Sequence, residues 1–394
     1  MKAKAMGRLG IVMSGGGARG AYEVGVLSYL YGEFTRHFRR TPRFDVVSGT
    51  SVGAINGTAL ASTVHDPEAG VRLLADVWLG QTLSDVLHFN LRQATRMYRV
   101  WTGGPKPAGL FDSRPLGQMI SRRIPWRQLV RNIKAGHLKA LTVSATNVRT
   151  GRSWLYLDRA TGVPLPRGNR RMVIHPTHIL PQHVLASSAM PVVFPPVRIG
   201  NDYFFDGGIR LNTPTAPAIQ LGADRIFVIG VTTPPGTNPS LAPRGYPGAS
   251  FLLGKTVDAL MLDHLEHDLE ELHLINQILS DALEAGGPGF KEKMDEVTSR
   301  HGRPSRQIIE TFALHPSVDI GALAADHLRR STPKLTRLLG RTLLRVLETG
   351  EGLDADLASY VLFDGDFTRI LIDLGRQDAA KHRSQLAEFL FRDA

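Results

Sequence analysis

Apolar positions in the first 230 residues fall into short runs set between longer stretches with helical spacing. Leu9-Gly10-Ile11-Val12-Met13 and Phe44-Asp45-Val46-Val47-Ser48 have the length and apolar content of buried strands, at 9–14 and 44–48. Between them, Tyr22, Val26, Leu27, Leu30, Tyr31 and Phe34 share one face of a helix over 20–36. The same pattern predicts strands near 139–146, 152–157, 203–205 and 225–232. It predicts further helices at 51–63, 67–79, 84–98, 114–122, 181–189 and 213–221. Strands alternating with helices argue an α/β fold with a largely parallel sheet.

Beyond about residue 250 the spacing becomes helical. Leu253, Val257, Leu260, Met261, Leu265, Leu269, Leu272, Ile275, Ile278 and Leu279 keep one face over more than 25 residues. Asp263, His264, Glu266, His267, Asp268, Glu270, Glu271 and His273 occupy much of the rest. Such a face has metal-ligand chemistry. A bundle site would want a second carboxylate–histidine helix, which is lacking, so a solvated face is the preferred reading. Later helices are predicted near 321–348, 353–375 and 378–392. Residues 233–250, rich in Pro, Gly and Ser, read as a linker or lid-like loop, and Thr102–Pro107 as a loop at the mouth of a site.

Three segments carry the chemistry. The second strand runs into Gly49-Thr50-Ser51-Val52-Gly53, and a small-residue helix follows. Strand, Gly-x-Ser-x-Gly, helix is the context of a nucleophile elbow, in which a strained turn pushes the serine hydroxyl out of the sheet. Gly49 and Gly53 keep side chains out of that bend. The first strand runs into Ser14-Gly15-Gly16-Gly17-Ala18-Arg19-Gly20, whose backbone N–H groups suit an anion. Tyr203-Phe204-Phe205 leads into Asp206-Gly207-Gly208, an aspartate on a tight turn at a strand end.

Each segment has a competing reading. Gly15, Gly17 and Gly20 also satisfy the dinucleotide fingerprint. That reading wants an acidic residue at the end of the second strand, where the Ser51 elbow lies instead. Asp206-Gly207 is also hairpin-turn chemistry. A Ser…Asp…His order would draw on His264 or a later histidine; His264, His267 and His273 lie in a highly charged helix and make poor candidates, so a two-residue Ser–Asp arrangement fits better. An aspartate activates a serine poorly at its usual pKa of about 3.9, and partial burial makes it more competent.

These residues resemble the patatin-like phospholipases. The likeness covers roughly residues 7–235, with the three motifs in family order and spacing. Tyr22–Leu27, Ala186–Pro196 and Asn212-Thr213-Pro214 add family-like flanks. The resemblance implies a three-layer α/β/α fold with a mostly parallel central sheet, and a metal-independent, cofactor-free acyl hydrolase. By position, Ser51 would be the nucleophile and Asp206 the base, on a turn continued by Gly207 and Gly208. The oxyanion loop would comprise Gly15, Gly16, Gly17, Ala18, Arg19 and Gly20, with Arg19 in the family's basic position. The expected substrate is a phospholipid or lysophospholipid. A lipid-binding scaffold with little turnover, or a thioesterase or acyltransferase using the same pair, is the alternative.

Composition bounds the remainder. The 394 residues divide into an expected acyl-hydrolase domain over 7–235 and a mostly helical C-terminal region over 250–394, with 307–314 as a return strand to the first sheet. The absence of cysteine excludes disulfides and thiolate metal sites. No signal peptide or membrane-spanning run is evident, so the expectation is a cytoplasmic protein with peripheral membrane contact as an option. Residues 86–180 hold 17 Lys+Arg against Asp112 and Asp158, and 258–296 hold 11 acids against two lysines. Phe89, Leu91, Met97, Tyr98, Val100, Trp101, Leu110, Phe111, Ile124 and Trp126 interleave with the basic charges. That mixture suits an anionic lipid surface. A solvated face balanced by the acidic helix is the other reading. No nucleic-acid motif accompanies the charge, so no nucleic-acid partner is expected.

Overall fold

The computed structural model describes residues 8–81, 109, 111–191, 193–234, 265–301, 305–330 and 354–392. The predicted helix at 84–98, the loop Thr102–Pro107, most of the 233–250 linker and residues 331–348 of the late helix lie outside them, as does His264.

β1 (Arg8–Met13) runs through a 3-10 turn (Gly17–Gly20) into α1 (Ala21–Tyr29), then a π turn (Leu30–Phe34) and α2 (Thr35–Phe38). β2 (Val46–Thr50) is followed by α3 (Val52–Thr63) and α4 (Pro67–Leu79). Next come α5 (Arg114–Arg123), α6 (Trp126–Lys134), β3 (Ala140–Asn147), β4 (Ser153–Arg159) and β5 (Met172–Pro176). α7 (Pro181–Ser187), β6 (Val197–Ile199), β7 (Asp202–Asp206), α8 (Thr215–Gln220) and β8 (Ala223–Ile229) lead to the C-terminal part. That part holds α9 (Leu265–Gly286), α10 (Phe290–Arg300), β9 (Glu310–Leu314), α11 (320–330), α12 (Asp354–Val361), α13 (Gly365–Lys381) and α14 (Arg383–Phe391).

The described strands form one sheet in the order β5-β4-β3-β2-β1-β8-β9. β1–β2, β1–β8, β2–β3, β4–β5 and β8–β9 are parallel, while β3–β4, β3–β7 and β6–β7 are antiparallel. The expected mostly parallel α/β fold is what the chain adopts. The core follows the two-residue period of the strands. Ile11, Met13, Val47, Leu141, Val143, Phe227 and Ile229 face one layer, with α1, α3 and α13. Val12, Val46, Ala140, Ile226 and Val228 face the other, against Ala218 and Leu221 of the α8 region and Leu265 of α9. Each fully buried aliphatic side chain contributes roughly 1.5–3 kcal/mol.

Local signals explain several boundaries. Asp66 caps α4 by accepting from the Ala69 N–H at 3.2 Å, and Pro67 occupies the first turn, where its missing N–H costs nothing. α6 was not predicted: it follows α5 after two residues in the same basic stretch, and only Leu129 and Ile133 of its apolar positions are fully buried. β5 and β6 are short and flanked by prolines, which hid them. In α9, Leu265 and Leu279 are buried, but Ile275 and Ile278 of the predicted apolar face are exposed.

α13 lies directly on α1. A Cβ on Gly25 would meet the Ile372 carbonyl, and one on Gly375 would meet the Tyr22 carbonyl. Two backbones can approach this closely only where side chains are absent. The C-terminal helices are thereby fastened to the helix that follows the glycine loop.

Candidate active site

β1 and β2 are neighbours, and both end at the same edge of the sheet. The chain turns there twice: through Ser14–Gly20 after β1, and at Ser51 after β2. Ser51 has φ 55° and ψ −124°, a left-handed φ that a serine adopts at a cost of about 1–3 kcal/mol. The turn is tight because α3 starts at once. A Cβ on Gly53 would collide with the Met13 and Ser14 carbonyls, and one on Gly49 with the Gly53 carbonyl.

Strand register brings the second residue to the first. β2 pairs with Ala140–Ser144 of β3, ending at Thr50 opposite Ser144. β7 pairs with the next residues on β3, with Asp206 opposite Ala145. The residue after Thr50 therefore meets the last residue of β7. The Ser51 Oγ–H donates to Asp206 Oδ2 at 2.6 Å. The other oxygen, Oδ1, accepts the Gly208 N–H at 2.8 Å. Gly207 packs against Ser144. β7 does not turn back into a hairpin; a 3-10 turn (Gly207–Ile209) carries the chain on toward α8. No histidine among the described residues hydrogen-bonds Asp206.

Asp206 is fully buried, and burial pushes its carboxyl up to about 7, against the opposing pull of the Ser51 and Gly208 hydrogen bonds. A base poised near neutrality is suited to accept a proton from a hydroxyl.

The segment after Asp206 is pinned across both strand ends. Thr50 donates to the Leu211 carbonyl at 2.7 Å, and Ser48 to the Pro214 carbonyl at 3.0 Å. The Ser14 and Thr213 hydroxyls are 2.7 Å apart. Gly15 packs against Ser51 Cβ and donates its N–H to the Asn212 carbonyl at 3.3 Å. The Arg19 N–H donates to the Gly16 carbonyl at 3.1 Å. The N–H groups of Gly16, Gly17 and Ala18 donate to no described residue, and they stand at the positive end of the 3-10 turn that continues into α1. The sequence-derived loop is thus narrowed. Gly15 and Arg19 have engaged N–H groups, and Gly20 packs on Val52. Arg19 is buried, with its guanidinium turned toward Ser359 and Tyr360.

Ser51 and Asp206 line an apolar slot of about 60 Å³. Its walls include Ile55, Leu74, Trp78, Met190, Phe194 and Phe363. Pockets that hold drug-sized ligands run to about 300–1,000 Å³, so seating a long chain requires these side chains to part.

Several residues here carried no sequence signal of a role. Ser187 accepts the Ser51 N–H at 2.9 Å, and Ser188 donates to the Ser51 carbonyl at 3.1 Å. Asn56 donates to Glu23 at 2.8 Å and to the Gly20 carbonyl at 3.0 Å, and accepts from Trp78 at 3.0 Å. Tyr360, Val361 and Phe363 reach the slot from the far end of the chain. No group of three His, Asp or Glu among the described residues is placed to hold a metal ion, and no described helix is long and apolar enough to cross a membrane.

A family model for patatin-like phospholipases matches residues 11–219, which include all three motifs. The chain belongs to the patatin-like phospholipase family. No curated protein matches it. Among solved structures, VipD from Legionella pneumophila is similar at 14% identity and a TM-score of 0.33, over 93% of this chain and 67% of that one. Human GIVD cytosolic phospholipase A2, solved with methyl gamma-linolenyl fluorophosphonate, is similar at 10% identity and a TM-score of 0.39. That match covers 98% of this chain but 58% of the human one. The patatin-like match ends before β8, so Tyr360, Val361 and Phe363 belong to residues outside it.

Proposed function

We propose that the protein is a lipid acyl hydrolase that cleaves carboxylic esters of phospholipids or lysophospholipids through an acyl-enzyme. The single observation that carries this reading is the 2.6 Å hydrogen bond from the Ser51 hydroxyl to Asp206, made at the floor of an apolar slot. In the first half-reaction Asp206 takes the Ser51 proton while Oγ attacks the ester carbonyl. The tetrahedral oxyanion is held by the unengaged Gly16 and Gly17 N–H groups; losing one such donor typically costs about a hundred- to a thousandfold in rate. Collapse expels the alcohol, which takes the proton from Asp206. Water then attacks the acyl-enzyme, Asp206 accepts its proton, and the fatty acid leaves as Ser51 is reprotonated.

The acyl chain would lie among Ile55, Leu74, Trp78 and Phe363. The basic helices α5 and α6 would face an anionic lipid surface: nine Lys+Arg and no acid lie between residues 113 and 157.

A fluorophosphonate probe tests the reading, together with fatty-acid release from a panel of phospholipids, lysophospholipids and acyl-CoA. Labelling at one serine, lost in Ser51→Ala together with fatty-acid release, supports it. Labelling that survives the substitution, or liposome binding with no fatty acid released, ends it.

A further inference from the structure

The slot that holds Ser51 and Asp206 has a cation at its rim, Arg123 of α5. The same residue also lines a second cleft beside it, of about 750 Å³, together with Leu73, Val77, Gln81 and Met119, which the two cavities share. The rest of this second lining includes the charged residues Asp76, Asp112, Arg114 and Arg122.

The charges divide unequally. Arg114 is tied to Asp112, Nη2 to Oδ2, at 2.5 Å. Arg122 and Arg123 are exposed and make no hydrogen bond or ion pair with any described residue. Asp76, one turn from the end of α4, is the remaining carboxylate among the described lining residues. Among the described residues, two guanidinium groups without a partner therefore share the cleft with one carboxylate that Arg114 does not hold. Cations in the last turn of a helix are favoured by the helix dipole, which explains basic residues at the end of α5. It does not explain why Arg123 borders the cavity that contains the Ser51 hydroxyl.

We infer that Arg123 and Arg122 form a phosphate subsite. An ester whose acyl chain occupies the apolar slot would place an anionic phosphate in the adjoining cleft. The planar guanidinium fork suits phosphate oxygens in a bidentate way. This rests on the hydrolase reading and deepens it: the substrate's phosphate is recognised by two named side chains rather than by attraction to a charged surface.

The test compares 1-acylglycerol-3-phosphate with 1-acylglycerol of the same short chain, both dispersed as monomers so that no lipid surface forms. The readout is the ratio of their kcat/KM values in the wild type, Arg122→Gln, Arg123→Gln and the double variant. Hydrogen bonds to charged groups are the strong ones, so replacing each arginine should lower the ratio by roughly tenfold or more, mainly through KM. The ratio isolates the phosphate, since any disturbance of the slot acts on both esters. An unchanged ratio overturns the inference. So does a loss seen only with anionic vesicles, which would assign the arginines to general surface attraction.

A second measurement needs no turnover. Binding of a non-hydrolysable 1-alkylglycerol-3-phosphate to Ser51→Ala should weaken about tenfold or more when Arg122 and Arg123 are both replaced. Inorganic phosphate should compete poorly. Equal competition by inorganic phosphate would make free phosphate the ligand and sink the lipid assignment. If the wild type hydrolyses neither ester while the binding difference persists, the hydrolase reading fails and the phosphate subsite stands.

Discussion

The Arg19 guanidinium lies 4.1 Å from the centre of the Tyr360 ring, and its Nε donates to Ser359 Oγ at 2.7 Å. The glycine loop after β1 is thus braced by α12, and Tyr360 also lines the slot. A desolvated cation–π contact is worth about 2 kcal/mol or more, and truncating a buried aromatic about 3–5 kcal/mol. Tyr360→Ala should therefore lower unfolding free energy by about 3 kcal/mol in denaturant titration, and reduce kcat by misplacing the loop. Tyr360→Phe, which keeps the ring, should cost less than half as much.

As the proposed base, Asp206 would take the Ser51 proton only when ionised, and burial raises its carboxyl to about 7. With an uncharged ester, kcat/KM should rise about tenfold per pH unit below that value and level off above it. A profile flat from about pH 5 to pH 8 would argue against Asp206 as the base.

The same shift has a thermodynamic side. The folded pKa of Asp206 lies above its unfolded value of 3.8, so the native state holds more protons between 3.8 and about 7. Stability is present in full below the unfolded pKa and declines as pH rises through this window. Each pKa unit corresponds to about 1.36 kcal/mol, so the loss is on the order of a few kcal/mol. Asp206→Asn buries no charge. It should abolish activity, yet melt higher than the wild type at pH 8, with the difference shrinking toward pH 4. Thermal melts of both proteins across that range check the sign.

Ser187 accepts the backbone N–H of the strained Ser51. Ser187→Ala leaves that buried donor unpaired, at a cost of about 1–3 kcal/mol. The melting temperature should fall, and kcat should drop more than KM changes, because the elbow loses a support while the slot is untouched. Fluorophosphonate labelling at Ser51 should slow but persist.

Much of the architecture was legible. β1, β2, β3, β4, β7 and β8 lie within a few residues of the apolar runs; β1, β2 and β3 are buried on both faces, and such strands leave nearly continuous hydrophobic sequence. β6, three residues long and next to prolines, offers too little chain for a pattern to register. α6 was obscured because its charged residues matched its surroundings. Ser51 and Asp206 stood out as candidates because glycines flank the first and follow the second, and glycine clusters mark turns that other residues cannot make. Ser187 and Asn56 are ordinary polar residues whose partners lie far away in sequence, and Arg123 is an ordinary helix-end cation until the fold sets it beside the slot.

Local sequence thus determined which segments become strands and helices, and where the chain must bend sharply enough to expose a hydroxyl. These outcomes depend on periodicity and backbone sterics within a few residues. Tertiary structure alone decided that β2 and β7 share one edge of β3, so that positions 51 and 206 meet, and that Tyr360 and Phe363 wall the slot. It also raised the Asp206 pKa, since desolvation depends on everything packed around a carboxyl and on nothing in its own short motif.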